Sequence, residues 1–450
     1  MIKQLNRRDF IKNTALGISI MPFMGLGSFL KAGNIDGEYK AIVVVLLEGG
    51  ADVFNMIAPN NDDYNLYAEA RGSIALKKDT LLDIGNGIGM RNTMQEMHNL
   101  YSKNKLAIVS NVGTLIEPVQ KDQIINHNAK VPFELFAHNT QRKQWMFGGS
   151  SSDLRNGWGA RTADILYPQG NPFCNINTSD VNNNLQYGSI GGSTHFDEAF
   201  VSPDTIEHYG FGPMSGGGEL GKIYKKLYEQ QKNSSNRLMS AFAKKRVDKM
   251  NSPDKLLDLY NFENSNISPF DNGVHEIGRP LGKQLETVAK LIEAKTSDSK
   301  LNRQIFFVNH HGWDTHDSDN EHLTNYLSKS LGEFQNTIDS LGKGKNVTTI
   351  TISDFGRSLT SNNAGTDHGW GSHTFVMGGA VKGGKIYGKL PVLNRESDDF
   401  WDDRMIPTTS VESYLSTVVK WFGVGDNELN EIFPSLKKFS IRNMDFMDKS

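Results

Sequence analysis

Between Gln304 and Gly379 the chain reads as strand, helix, strand, and this order constrains the fold more than any other stretch. Ile305–Val308 and Val347–Ile352 are short β-branched and aromatic runs, the pattern of strands covered on both faces. Between them Leu323, Leu327, Leu331, Phe334, Ile338 and Leu341 recur at helical spacing and make one apolar face. A strand, a crossover helix and a second strand form a βαβ unit whose strands run in the same direction. The residues just past each strand then lie on one edge of the sheet, where open α/β folds gather their ligands. The expectation is an α/β fold with a mostly parallel central sheet, helices on both faces and loop-rich cap insertions.

The segments after the two strands are polar and rich in ligand groups. His310, His311, Asp314, His316 and His322 come after the first, and Asp354, Arg357, Asp367, His368 and His373 after the second. Six of the 12 histidines fall in this window, a density that suits neither a solvated face nor an apolar core. Turn and capping chemistry accounts for one such cluster, since His, Asp and Gly are common in loops. Two clusters brought to one sheet edge point to a centre for a divalent ion such as Zn, Mn or Fe.

Upstream, Ala41–Leu47 is a continuous apolar run and the strongest strand in the chain, expected to lie centrally. It ends in Glu48-Gly49-Gly50-Ala51-Asp52, which presents Asp52 just beyond the strand end, as turn residue or ligand. Residues 92–103 read as a helix and Leu106–Ser110 as a second strand. His138 and Asn139 fall at a helix start, where free N–H groups favour an anion, and His138 is there either a cap or a site residue. Helices are further expected from Arg161, across 219–255, over Leu281–Ala294 and from Pro407 to Phe422, with short strands at 374–378 and 383–388. The segment 170–215, rich in Asn, Gly, Ser and Pro, reads as irregular strands and loops forming a cap over the sheet. Gly216–Gly218 has no Lys-Ser/Thr after it, which excludes a phosphate-cradling P-loop there.

The amino terminus carries Arg7-Arg8-Asp9-Phe10-Ile11-Lys12 ahead of the apolar stretch Ala15–Leu30, the pattern of a twin-arginine export signal. Gly17, Pro22, Gly25 and Gly27 argue against a spanning helix, and no later run reaches the roughly 20 apolar residues one needs. The expected organisation is a signal over 1–32, a linker over 33–40, one domain over 41–440 with its cap near 170–215, and a tail over 441–450. This places the mature chain in the periplasm or outside the cell, with the twin-arginine translocase as its partner during export and no transmembrane segment. A formal net charge of −3 gives no basic surface for nucleic acid. The lone Cys174 excludes an intrachain disulfide and a cysteine-built zinc site.

Taken in order, LLEGGADVFN, LFAHNTQRKQW, GWGARTADIL, GWDTH, SDFGRS, GTDHGWGSH and GGAVKGGKIYG resemble the exported bacterial proteins of domain-of-unknown-function family 1501. That family is similar to the alkaline phosphatase and sulfatase superfamily, and the resemblance implies its α/β fold and one or two divalent ions (Zn, Mn, Mg or Ca). It implies Asp52 as the first-strand ligand, Asp314 and His316 as one ligand pair and Asp354 as the strand-end carboxylate of the other site. His368 or His373 would be the late histidine ligand, with Asp367 a further candidate, and Arg357 would contact an oxyanion. The chain departs from the pattern in having Asp354-Phe355 where Asp-His is usual and Ala137-His138 where many relatives have a serine nucleophile. Thr140 or a metal-activated water would then replace that serine, with His138 orienting the anion or leaving group. The implied activity is hydrolysis of a phosphate or sulfate ester. Its rivals are a metal-binding or assembly protein that has lost the nucleophile, working with other exported proteins, and a single-metal oxidoreductase.

Overall fold

The computed structural model describes residues 37–150, 156–168, 174–179, 199–201, 206–207, 219–244, 247, 265–270, 280–294, 302–319 and 321–448. The expected signal, the first half of the linker, most of the cap segment and the triple glycine lie outside the described residues. Among the described residues no helix is long and apolar enough to cross a membrane.

The strands that build the central sheet are β1 (Lys40–Leu47), β2 (Leu106–Gly113), β3 (Asn175–Asn177), β4 (Ala199–Val201), β5 (Ile206–Glu207), β6 (Arg303–His310), β7 (Val347–Ser353), β10 (Ser372–Met377), β11 (Ile386–Tyr387) and β12 (Thr409–Ser410). A separate hairpin, β8 (Arg357–Ser361) and β9 (Thr366–His368), rises between β7 and β10. The helices that matter for the core are α1 (Gln95–Ser102), α2 (His138–Phe147), α3 (Trp158–Leu166), α4 (Leu281–Ala294), α5 (Glu321–Ser340) and α6 (Val411–Phe422).

The sheet order is β11-β2-β10-β7-β1-β6-β3-β4-β5, with β12 beside β2. Only β10 and β5 run against the rest, so the sheet is mostly parallel as expected. β1 lies between β6 and β7, parallel to both, with Leu47 level with His310 on one side and Ser353 on the other. Three carboxyl ends therefore open on one edge, which is the geometry the βαβ reading requires.

Both faces of β1 are covered, which explains its unbroken apolar run. Val43, Val45 and Leu47 pack with Met97 and Leu100 of α1, Leu285 and Val288 of α4, and Leu327, Leu331 and Phe334 of α5. Ile42, Val44 and Leu46 pack with Trp145 of α2, Trp158 of α3 and Val411, Leu415 and Val418 of α6. The result is three layers, helix over sheet over helix.

Two boundaries differ from the sequence reading. The last helix begins at Val411 rather than near Pro407, because Thr409 and Ser410 pair with the end of β2 and the Ser410 hydroxyl caps the helix by accepting from the Ser413 amide. The expected strand over 383–388 shortens to Ile386–Tyr387, since Gly384 and Gly388 both have positive φ.

Candidate metal centre

The carboxyl end of β1 turns at Gly49 and Gly50, and here glycine is required by space as well as by conformation. Gly49 has φ +121° and a Cβ on it would lie 2.3 Å from the Asp314 amide nitrogen. Gly50 has φ +91° and a Cβ would lie 2.6 Å from the Phe355 ring. The absent side chains let the loop after β6 and the loop after β7 close on the β1 turn, which brings Asp314 and Phe355 together.

At this junction His138, Asp314 and His368 each offer a ligand atom within 4.8 Å of the others. His138 Nε2 lies 3.5 Å from Asp314 Oδ2, and His368 Nε2 lies 3.3 Å from Asp314 Oδ1. Tetrahedral coordination at the usual zinc bond lengths of about 2.0–2.1 Å places neighbouring ligand atoms about 3.3 Å apart. His316 Nε2 adjoins the same three, 3.0 Å from both Asp314 Oδ1 and His368 Nε2. The three residues come from three separate elements: the first turn of α2, the loop after β6 and the end of β9. The Phe355 ring forms the floor, with its centroid 4.8 Å from that of His138 and 4.6 Å from that of His368.

The far nitrogens of the two imidazoles decide what the near ones can do. His138 Nδ1 is 2.8 Å from Asp354 Oδ2, and a carboxylate can only accept, so Nδ1 carries the proton. His368 Nδ1 is 2.9 Å from the Phe136 carbonyl oxygen, which likewise assigns the proton to Nδ1. Both Nε2 atoms are then left with a lone pair toward Asp314, the arrangement that orients histidine ligands in metal sites. Burial lowers the His368 pKa, and the charges of His138 and Arg357 lower it further against the raising effects of the Phe136 carbonyl and Asp314. Burial alone would raise the Asp314 pKa, but the Arg357 hydrogen bond and charge, with His138 and His316, hold it below the usual carboxylate value. The shifts favour neutral imidazole at His368 and ionised carboxylate at Asp314, the forms that ligate metals.

Behind the centre runs a buried chain of charge. Arg142, one turn after His138 on α2, donates Nε to Asp354 Oδ1 at 3.1 Å and Nη2 to Asp354 Oδ2 at 3.0 Å. Its Nη1 donates to Glu48 Oε1 at 2.5 Å. The other Glu48 oxygen meets His311 Nδ1 at 2.7 Å and accepts from Asn309 Nδ2 at 3.0 Å. Burial pushes Glu48 up, but His311, Arg142 and Asn309 outweigh it and bring its pKa down to about 2. Sequence reading passed over Arg142 and Glu48 as site residues. The i, i+4 spacing of His138 and Arg142, and a carboxylate directly after the central strand, are the signals that mark them.

The remaining expected residues occupy a range of positions around this centre. Asp354 is fully buried and touches His138 and Arg142, one residue removed from the convergence of ligand atoms. Asp367 is exposed at the rim, with Oδ1 3.6 Å from His316 Nδ1. Asp52 is buried and ion-paired with Arg71, whose guanidinium also donates to the carbonyls of Ser358 and Leu359. His373 lies in β10 and accepts at Nδ1 from the Asn111 amide at 3.1 Å, with burial pushing its pKa down to about 4. Thr140 donates its hydroxyl to Glu134. Arg357 is fully buried and donates to the carbonyls of Gly49, Gly50, Trp313 and Thr366, and to Asp314 Oδ1 at 2.5 Å. It acts as a clamp on the loops that build the centre.

Residues 222–429 match the family model described as "Protein of unknown function (DUF1501)". Over this stretch the chain is similar to the DUF1501 family. The DUF1501 match takes in Asp314, His316, Asp354 and His368, whereas His138 precedes it. No curated protein sequence matches the chain. Among solved structures it is similar to a protein in the alkaline phosphatase superfamily from Vibrio parahaemolyticus, at 11% identity over 94% of this chain and 76% of that one, with a TM-score of 0.38. It is also similar to the PsFucS1 sulfatase from Pseudoalteromonas sp., at 9% identity over 94% and 76%, with a TM-score of 0.37. A third is the C-terminal periplasmic domain of EcEptC from Escherichia coli in complex with Zn, at 10% identity over 93% and 90%, with a TM-score of 0.34.

Proposed function

We propose that this chain is an exported protein that binds a divalent metal ion through His138, Asp314 and His368 and hydrolyses a phosphate or sulfate ester. The observation that carries the reading is the pair of imidazoles whose Nδ1 protons are engaged by Asp354 and the Phe136 carbonyl, leaving both Nε2 lone pairs toward one ionised carboxylate. Such a donor set fits a divalent ion with three protein ligands and room for a further group, the pattern of catalytic rather than structural sites. An ion held there supplies positive charge to the oxygens of an ester and makes a bound water more acidic.

The chain's own residues have distinct parts in this reading. Asp354 and Arg142 hold the His138 ring in one orientation and one tautomer. Arg357 fixes the Asp314 carboxylate by its Oδ1 atom. With the His368 Nε2 lone pair committed to the ion, a proton on His316 Nε2 is donated to Asp314 Oδ1, 3.0 Å away. His316 is therefore the group that holds and returns a proton beside the reacting ester. The Phe355 floor excludes water from beneath the imidazoles. Water, rather than a side-chain hydroxyl, is the attacking group, since residue 137 is alanine and the Thr140 hydroxyl is turned to Glu134.

That same lack of a hydroxyl nucleophile favours the second reading, a metal-binding or assembly partner among exported proteins without turnover. The two separate cleanly. Purified protein with added Zn²⁺, Mn²⁺ or Mg²⁺ is offered an aryl phosphate, a phosphodiester and an aryl sulfate. The hydrolase reading expects turnover of one class that needs the ion and is lost in His138→Ala, Asp314→Ala and His368→Ala. Fully loaded protein that turns over none of the three is the result expected of the binding partner. Export through the twin-arginine route is tested by replacing Arg7 and Arg8 with lysines, which is expected to leave the protein inside the cell.

A further inference from the structure

We infer that the centre takes one divalent ion and that buried arginines stand where a second would have to enter. The inference rests on the metal reading above and concerns the carboxylates around it. Three aspartates read from the sequence as ligands, Asp52, Asp314 and Asp354, come from three different strand ends. Each is engaged by its own arginine: Asp52 by Arg71, Asp314 by Arg357 at 2.5 Å and Asp354 by Arg142 at 3.0 Å. The three guanidiniums arrive from unrelated places, a short helix over Tyr64–Arg71, strand β8 and helix α2, so the pairing is not a by-product of one local turn.

The charges and exposures decide how many ions can enter. With Glu48, which shares Arg142 with Asp354, four carboxylates face three guanidiniums, so most of the negative charge is already matched before any ion arrives. Arg71 and Arg357 have no exposed side-chain surface, the Asp354 side chain has none either, and that of Asp52 is 4% exposed. A dication at Asp52 or Asp354 would have to break a buried ion pair with a guanidinium that cannot lose its proton. Asp314 is different, because its side chain is 48% exposed and only Oδ1 faces Arg357. Its Oδ2 atom looks toward His138 Nε2, on the side away from that cation. The guanidiniums thus act as fixed monovalent substitutes for a second ion, and they leave one position open.

The test is a count of bound ions on the full chain. Protein stripped with chelator and then equilibrated with excess Zn²⁺ or Mn²⁺ is freed of unbound ion by gel filtration and assayed by elemental analysis and native mass spectrometry. One ion per chain is expected, falling to none in Asp314→Ala and unchanged in Asp52→Asn. Two ions per chain, with the second lost in Asp52→Asn or Asp354→Asn, would overturn the arginine assignment while leaving the metal reading intact. No ion at all overturns both. Arg142→Ala offers a gain of function as an independent check: it frees Asp354 and Glu48, and a second, weaker equivalent is expected. If that variant does not fold, the count on the native chain and on Asp52→Asn still decides the matter.

Discussion

Asp354 has no exposed surface and accepts hydrogen bonds from Arg142 through both oxygens and from the Nδ1–H of His138. Its replacement by asparagine keeps the shape but weakens the orientation of the imidazole, and losses of this kind lower metal affinity about 10–100-fold. A zinc titration of Asp354→Asn against a competing chelator is expected to show that drop without loss of the fold. Asp354→Ala leaves Arg142 with Glu48 as its remaining carboxylate, and denaturant unfolding should record a cost of up to about 3 kcal/mol. Gly49→Ala places a methyl group on the Asp314 backbone at a positive φ, and it is expected to cost at least about 1–3 kcal/mol and to weaken metal binding with it. Titration adds a signed expectation. Glu48 has a folded pKa depressed to about 2, so its contribution is complete above the unfolded value near 4.3 and is lost as pH falls between the two. Unfolding free energies measured across that window should fall with pH in the native chain and fall less steeply in Glu48→Gln.

Helix α6 presents the opposite sign. Glu412 in its first turn is buried, and burial raises its pKa to about 8 against the weaker lowering effects of hydrogen bonding to its own backbone and Ser410 and of the Lys438 charge. The unfolded chain releases this proton first, so the group costs stability progressively from pH near 4.3 up to about 8. His373 acts only below its unfolded value near 6.5, and among the described residues Glu412 carries a shift that spans the interval from 6.5 to 8. Thermal unfolding is expected to weaken with rising pH there and to be flatter in Glu412→Gln. At this scale the sequence was readable where burial is symmetrical. The runs that became β1, β6 and β7 are apolar because both faces are covered, and the face of α5 repeats because one side packs on the sheet. The hairpin β8–β9 was not readable, although it carries Arg357 and His368, because SDFGRSLTSNNAGTDH has no alternation of apolar and polar residues. Its strands are held by Arg357 and Arg71 donating to backbone carbonyls, with Leu359 buried in a small cluster beside Phe54, Tyr67 and Phe400. Two of the arginine partners escaped notice for a related reason: Arg71 and Arg142 are buried, and composition alone places such residues on the surface.

For the molecule as a whole, the parallel alignment of β1 between β6 and β7 gathers Glu48, Asp314 and Asp354 on one edge, and α2 adds His138 and Arg142 from the side. This convergence of chain-distant groups was legible from strand order and histidine density. The division of labour within it was not, because distance and burial, which separate Asp52 and His373 from the trio of ligand atoms, leave no mark on residue type. The central claim is that His138, His368 and Asp314 hold an ion together. A crystal soaked in Zn²⁺ or Mn²⁺, with data collected on either side of the metal's absorption edge, tests it most directly. The account predicts one anomalous peak within bonding distance of both Nε2 atoms and the Asp314 carboxylate. A peak seated instead against Asp52 or His373, or no peak at saturating metal, would contradict it.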